Sequence, residues 1–201
     1  MKPEDRKAAI LESAKRLFSS NGYFSTQISD IIAEAGIARG TVYQYFKNKD
    51  DIFITLCEDY YAKWEKMMDG WDGDLAAITA RDYLKHRIRQ NLKFFAEDPD
   101  LCNILLRMGV GLPGNLENVI RRFESRILNV SLKDFELGLR NGHVKPDLDL
   151  ELASNLFAGA LLRAAYYYFG RPRKNGKAVD VEKATEDISA FLAPGIFVEG
   201  E

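Results

Sequence analysis

The stretch Gly22-Tyr23-Phe24-Ser25-Thr26-Gln27-Ile28-Ser29-Asp30-Ile31-Ile32-Ala33-Glu34-Ala35-Gly36-Ile37-Ala38-Arg39-Gly40-Thr41-Val42-Tyr43-Gln44-Tyr45-Phe46-Lys47-Asn48-Lys49 decides the fold. Ser25-Thr26 offers an N-cap for a short helix through Ala35, Gly36 breaks it, and a second short helix follows from about Ala38 to Phe46. Ile28, Ile31 and Ile32 can pack beneath a preceding helix, while Ile37, Val42 and Phe46 seat the second short helix against them. This is helix-turn-helix punctuation over about residues 27–46. It leaves Arg39, Gly40, Thr41, Tyr43, Gln44 and Tyr45 less constrained, and an exposed face of that chemistry suits double-stranded DNA. Gly40 permits close approach, Thr41 and Gln44 can read base edges in the major groove, and the hydroxyls of Tyr43 and Tyr45 can reach phosphates.

Working outward, a helix from about Glu4 to Asn21 puts Ile10, Ala14, Leu17 and Phe18 on one face, and Asn21-Gly22 stops it. On the other side a long helix begins near Lys49 and places Ile52, Phe53, Leu56, Tyr60, Trp64 and Met67 along one stripe, with Gly70 and Gly73 marking its end. Five more helices are predicted at about Leu75 to Ala96, Pro99 to Met108, Asn115 to Asn141, Leu148 to Gly170 and Asp180 to Leu192. The breaks are Asp98-Pro99, Gly111-Leu112-Pro113-Gly114, Asn141-Gly142 and Gly170 with Pro172 and Gly176. Apolar and polar residues never alternate long enough for a strand. The chain therefore reads as all-α with about nine helices: a three-helix head at roughly 1–48, and a fourth helix joining it to a larger helical body.

The 201 residues are 46% apolar, enough to bury a substantial core, and no internal repeat or low-complexity tract appears. Cys57 and Cys102 lie far apart with no CxxC or Cys/His spacing, and His86 and His143 have no metal-ligand spacing, so buried thiols without disulfide, metal or cofactor are expected. No secretory leader and no run of about 18 apolar residues is present, which points to a cytoplasmic protein without a membrane span. The net charge of −2 runs against a nucleic-acid protein, but Ile37 to Lys49 carries Arg39, Lys47 and Lys49 with no acid. Lys47 suits either phosphate or solvent, Lys49 suits phosphate, and Arg39 can reach base or phosphate. No GxSxG, GxGxxG, P-loop or HExxH motif supports an enzyme. The remaining alternative is an effector-independent, nucleoid-associated or structural DNA-binding protein.

Over about residues 4–64 the chain resembles the TetR family of transcriptional regulators. The resemblance rests on Gly22-Tyr23-Phe24, the hydroxyl residue Thr26, Asp30-Ile31, Ala35-Gly36-Ile37, Arg39-Gly40, Tyr43 with Phe46, and Lys49, all in register. It implies a homodimeric repressor whose DNA-binding domain spans 4–64 and whose ligand-binding and dimerisation domain spans 65–201. It further implies DNA contacts from Thr26, Gln27, Arg39, Gly40, Thr41, Tyr43, Gln44, Tyr45, Lys47 and Lys49, and release from the operator when a ligand shifts the fourth helix. Three positions depart from the pattern. Ala38 replaces a Ser or Thr cap typically worth about 0.5–2 kcal/mol, Gln27 replaces a second hydroxyl residue, and Ile32 replaces Ala.

In the body, the segment Leu150 to Phe169 is apolar on more than one face and so calls for two partners. Ala158, Leu161, Leu162, Ala165 and Phe169, with Ala184, Ile188 and Phe191 of the last helix, are the candidate dimer interface, and a four-helix contact is the expectation. Candidate effector-lining residues are Trp64, Trp71, Tyr83, His86, Phe94, Leu105, Met108, Phe123, Ile127, Phe157 and Tyr167, although for each taken alone core packing is the more usual role. They suit a largely apolar or aromatic small molecule, with His86, Arg107 and Arg163 as possible polar anchors if they face inward.

Overall fold

Pro3 opens the first helix where its missing N–H removes no intrahelical bond, and Glu4 and Asp5 place negative charge against the positive end of the helix dipole. The computed structural model describes residues 2–69, 78–108, 112–170 and 179–198, apart from the side chains of Arg107 and Met108. Its helices are α1 (Pro3–Asn21), α2 (Ile28–Ala35), α3 (Arg39–Tyr45), α4 (Lys49–Asp69), α5 (Ala80–Glu97), α6 (Pro99–Met108), α7 (Gly114–Arg140), α8 (Leu150–Phe169) and α9 (Val181–Ile196). The all-α architecture expected from the periodicity is what the chain adopts. No described helix is long and apolar enough to cross a membrane.

Two breaks in the head are made by backbone that only glycine adopts easily. Gly22 ends α1 at φ 85°, and Gly36 turns the chain between α2 and α3 at φ 62° in the left-handed region. One expected cap differs. The N-cap position of α2 is Gln27, whose backbone N–H donates to Asp30 Oδ2 at 2.8 Å, rather than Ser25 or Thr26. α5 starts at Ala80 behind Thr79, whose hydroxyl oxygen accepts from the Asp82 N–H at 3.0 Å. The portion of its expected start at residues 75–77 lies outside the described residues. α9 runs past Leu192 to Ile196 with Pro194 inside it. The Pro194 carbonyl accepts from Lys145 Nζ at 2.7 Å, and Val144 pairs with Phe197 as an isolated antiparallel bridge, so the α7–α8 connection holds the chain end.

The buried residues form two clusters, and the boundary does not fall between head and body. The first cluster runs from Ile10, Phe18 and Val42 in the head along α4 to Phe94, Phe123 and Ala165. α4 makes this continuity: Ile52 and Phe53 pack into the head, and Tyr60, Tyr61 and Trp64 pack into the body. The second cluster joins Leu84, Ile88 and Leu92 of α5 to Phe135, Phe157, Leu161, Ala184 and Phe197. The head also touches α6 through polar contacts. Lys15 Nζ pairs with Asp98 at 2.8 Å, and the Ser19 hydroxyl donates to Asp100 at 2.6 Å.

Candidate functional site

The second helix of the motif presents its side chains outward from a fixed seat. Val42 and Phe46 are buried and Ile37 nearly so, which anchors α3 on the head core. Arg39, Gly40, Tyr43 and Gln44 are exposed and Thr41 is half-buried. The Arg39 guanidinium lies 5.7 Å from the centre of the Tyr43 ring, so the cation and the hydroxyl-bearing arm form one patch. A Cβ at Gly40 would meet no atom within 4 Å, so this surface is open for close approach by a partner. Tyr45 is half-buried with its ring against the head core. Gln27 and Lys47 are exposed, and the Lys47 N–H donates to Asp51 Oδ2 at 3.0 Å.

Two residues expected at the DNA surface are engaged inside the head. Thr26 is fully buried; its hydroxyl lies 2.8 Å from the Gly22 carbonyl and 3.3 Å from that of Leu17, which closes the α1–α2 loop. Lys49 points back into the same loop. Its ammonium donates to the carbonyls of Tyr23 and Thr26, each at 2.7 Å, and sits 4.1 Å from the Tyr23 ring centre. Burial pulls this ammonium below its ordinary pKa, while Asp50 and Asp30 push back. The Tyr23 hydroxyl in turn donates to Asp50, and burial followed by Asp50 raises that phenol. Lys49 is thus a loop clasp: carbonyls left open by the tight α1–α2 connection need a donor, and the first residue of α4 supplies it.

The far end of the body contains a small cavity, about 80 Å³ in volume and partly open to solvent. Tyr83, Leu84, Arg87, Ser131, Asp134, Phe135, His143, Val144, Phe157 and Phe197 are among its lining residues. It is mostly apolar with one polar corner, the form that small-molecule sites take. In that corner Arg87 Nε and Nη2 donate to Asp134 at 3.0 and 3.1 Å, and the Tyr83 hydroxyl donates to Asp134 at 2.8 Å. Of the expected effector residues, Tyr83 and Phe157 line this cavity. Trp64, Phe94, Leu105, Phe123 and Ile127 belong instead to the packed first cluster, where the Tyr61 and Phe123 rings stack at 4.2 Å and Trp64 meets Phe123 edge-on at 5.4 Å. Tyr167 is 62% exposed, and His86 is half-buried on α5 outside the lining. Trp71 and the Met108 and Arg107 side chains lie outside the described residues.

The inward-facing arginine is Arg87, not Arg163, which is exposed on α8 over the Tyr166 ring. A signal for it exists in the sequence. Leu84, Arg87, Ile88, Asn91, Leu92 and Phe95 share the buried stripe of α5, so a cation stands where the spacing asks for an apolar residue. Burial pushes the Cys57 and Cys102 thiols up to about 12, so both stay protonated and unreactive at neutral pH. Among the described residues no group of His, Cys, Asp or Glu is placed to hold a metal ion.

Four of the expected interface residues are turned inward. Ala158, Leu161, Ala165 and Ala184 are buried within the subunit, because their small or compact side chains fill the contacts of α8 with its own neighbours. Leu162, Phe169 and Ile188 are half-buried, and Phe191 is 84% exposed. The apolar surface that α8 and α9 present is instead Leu152, Leu156, Tyr167 and Phe191, with Leu152, Leu156 and Phe191 bordering one groove between the two helices. Leu152 and Leu156 are four residues apart on α8, and that spacing could have marked them.

The head matches the family described as bacterial regulatory proteins, tetR family, over residues 10–56. Over 191 residues the chain is 28% identical to the fatty acid metabolism regulator protein of Bacillus subtilis (strain 168), covering 93% of each. It is 23% identical over 203 residues to the HTH-type transcriptional repressor KstR2 of Mycolicibacterium smegmatis, covering 96% of this chain and 92% of that protein. The crystal structure of the transcriptional regulator FadR from Bacillus subtilis in complex with stearoyl-CoA superimposes with a TM-score of 0.76 at 25% identity, covering 94% of this chain and 98% of that one. Helix order, motif register and whole-length similarity agree: residues 10–56 match the tetR family, and the chain as a whole is similar to bacterial transcriptional regulators.

Proposed function

We propose that this chain is a cytoplasmic transcriptional repressor that binds a pseudo-palindromic operator as a homodimer and is released by a small molecule seated in the cavity of its body. The observation that carries the reading is the pairing, in one chain, of an exposed α3 face with a largely apolar cavity that has a polar corner. Residues 4–64 form the DNA-binding part, with Arg39, Gly40, Thr41, Tyr43, Gln44 and Lys47 at the duplex. Residues 65–201 form the ligand-binding and dimerisation part. The similarity to a regulator holding stearoyl-CoA makes a long-chain acyl thioester the first effector to test. A largely apolar opening with a polar corner in the body supports release by an effector over effector-independent DNA packaging, and no catalytic step is proposed.

Dimerisation is assigned to the groove face of α8 and α9, where exposed Leu152, Leu156 and Phe191 form an apolar surface that water leaves unsatisfied. Two copies joined there set two recognition helices against successive major grooves, roughly 34–36 Å apart. The test is selection from a random duplex library with the wild type, Tyr43→Ala and Leu156→Glu. An inverted repeat is expected for the wild type and lost in both variants. Leu156→Glu, at an exposed site, should keep its folding stability within about 0.5 kcal/mol and run as a monomer by light scattering. Selection by the wild type of a single half-site, or a Leu156→Glu protein that stays dimeric, would overturn the assembly.

A further inference from the structure

The wall of the cavity and the end of α4 share one side chain. Arg87 is 9% exposed on the buried stripe of α5, and its guanidinium is divided between two partners. Nε and Nη2 donate to the two carboxylate oxygens of Asp134 on α7, and Nη1 donates to the Met68 carbonyl at 3.0 Å. Met68 lies in the last described turn of α4, so Arg87 ties α5 to that end of the helix. The contact is reinforced one turn back. The Arg87 carbonyl accepts from Asn91 Nδ2 at 2.9 Å, and Asn91 Oδ1 accepts from Trp64 Nε1 on α4 at 2.9 Å. Arg87, Asp134 and Tyr83 together make the polar corner of the cavity.

We infer that Arg87 is the residue through which occupancy of the cavity is passed to α4. The inference rests on the effector-responsive reading above. An effector with an apolar body and a hydrogen-bond-accepting group, such as a thioester, carbonyl or carboxylate oxygen, competes for the guanidinium with Asp134 and the Met68 carbonyl. The donors of a guanidinium form a rigid planar fork, so taking a new acceptor turns the whole plane and draws Nη1 off Met68. A buried, permanently charged group must keep acceptors around it, so the event is an exchange of partners rather than a loss. The last turn of α4 is then unpinned. Since α4 is 21 residues long, roughly 30 Å at about 1.5 Å per residue, a small displacement at this end is enlarged at the head.

The test compares the wild type with Arg87→Met and Asp134→Asn, using the selected duplex and stearoyl-CoA as the probe. For the wild type, stearoyl-CoA should weaken operator binding by about 5–150-fold, the usual range of such coupling. Arg87→Met should still bind both partners, but the ratio of operator affinities with and without stearoyl-CoA should fall below about threefold. By reciprocity its affinity for stearoyl-CoA should no longer depend on operator DNA. Asp134→Asn, which keeps an acceptor but gives up the charge, should release DNA at lower stearoyl-CoA concentration, and it serves as the reading if Arg87→Met fails to fold. Wild-type coupling in either variant would overturn the role of Arg87. If stearoyl-CoA leaves even wild-type operator binding unchanged, the effector class is wrong, and the clasp of Arg87 on the Met68 carbonyl is read without ligand by amide hydrogen exchange. Faster exchange over Tyr60 to Asp69 in Arg87→Met, with α1 unchanged, would uphold the clasp. Equal exchange over that segment would overturn it.

Discussion

The head and the far end of the body use the same kinds of side chain in opposite ways. In the head, polar groups are tied to backbone close by: Thr26 to Gly22, Lys49 to Tyr23 and Thr26, and Asp30 to Gln27. With its loops closed in this manner, the α3 face is held rigidly while Arg39, Tyr43 and Gln44 stay bare to solvent. At the far end, Arg87, Tyr83 and Asp134 bond to one another across helices and border an opening. Backbone-tied polar groups give a surface of one shape, which suits a partner as uniform as duplex DNA. Side chains bonded to other side chains can change partners, which suits a site whose ligand comes and goes.

The largest effect is expected from the core that connects the two regions. Phe53 is fully buried, with its ring edge-on to Phe18 at 5.7 Å and to Tyr23 at 5.3 Å. Phe53→Ala should destabilise the chain by about 3–5 kcal/mol, through lost transfer energy and the cavity left behind. Because one apolar cluster runs from the head into the body, calorimetry should show a single transition moved to lower temperature. A head that melts on its own, ahead of the body, would break that continuity. Phe157→Ala should cost less, since the Phe157 ring already borders a cavity that is partly open to solvent.

A smaller effect separates the two lysines. Lys49→Met keeps an apolar stem over the Tyr23 ring but leaves two loop carbonyls without their donor, a loss of about 1–3 kcal/mol. The salt dependence of operator binding should be unchanged in this variant. Lys47→Ala, at an exposed residue, should leave stability within about 0.5 kcal/mol and reduce the slope of log K against log salt by about 0.9, one phosphate contact. Salt titrations of both variants check the assignment. A reduced slope for Lys49→Met would return that lysine to the DNA surface.

The same contrast explains what could be read in the sequence. Ile31, Ile37, Val42 and Phe46 seat the two short helices within some 28 residues of chain, so local spacing and two glycines were enough to place α2 and α3. The inward bonds of Lys49 were not legible, because its partners, Tyr23 and Thr26, are 26 and 23 residues away, and nothing in local spacing reveals that the chain returns there. In the body this difficulty is general. Arg87 and Asp134 are 47 residues apart, and whether Phe123 or Phe157 borders a cavity depends on how α4, α5, α7 and α8 pack rather than on either residue's own helix. Periodicity marks which residues of α8 are apolar but cannot say which of its two apolar faces turns inward. For that reason spacing alone does not separate the buried Ala158 and Leu161 from the exposed Leu152 and Leu156.

The smallest effect sharpens the picture of a rigid head at the start of α3, which has no side-chain cap. Ala38 is the N-cap residue of α3; its carbonyl already accepts from the Thr41 and Val42 N–H groups at 2.9 and 3.2 Å, but it has no side-chain oxygen to accept from the first turn. Ala38→Ser should supply that acceptor and stabilise the head by about 1 kcal/mol, read as a rise in melting temperature. Ala38 is exposed beside Arg39 and Gly40, so the hydroxyl also faces the proposed duplex. Operator affinity therefore distinguishes two roles for the position. In a head that is already folded, a better cap adds nothing to binding, and affinity should stay within twofold while the melting temperature rises. A several-fold gain in affinity would instead mean that the new hydroxyl has found a phosphate. The α3 surface would then still be short of contacts, and the head less complete a reader of DNA than its closed loops imply.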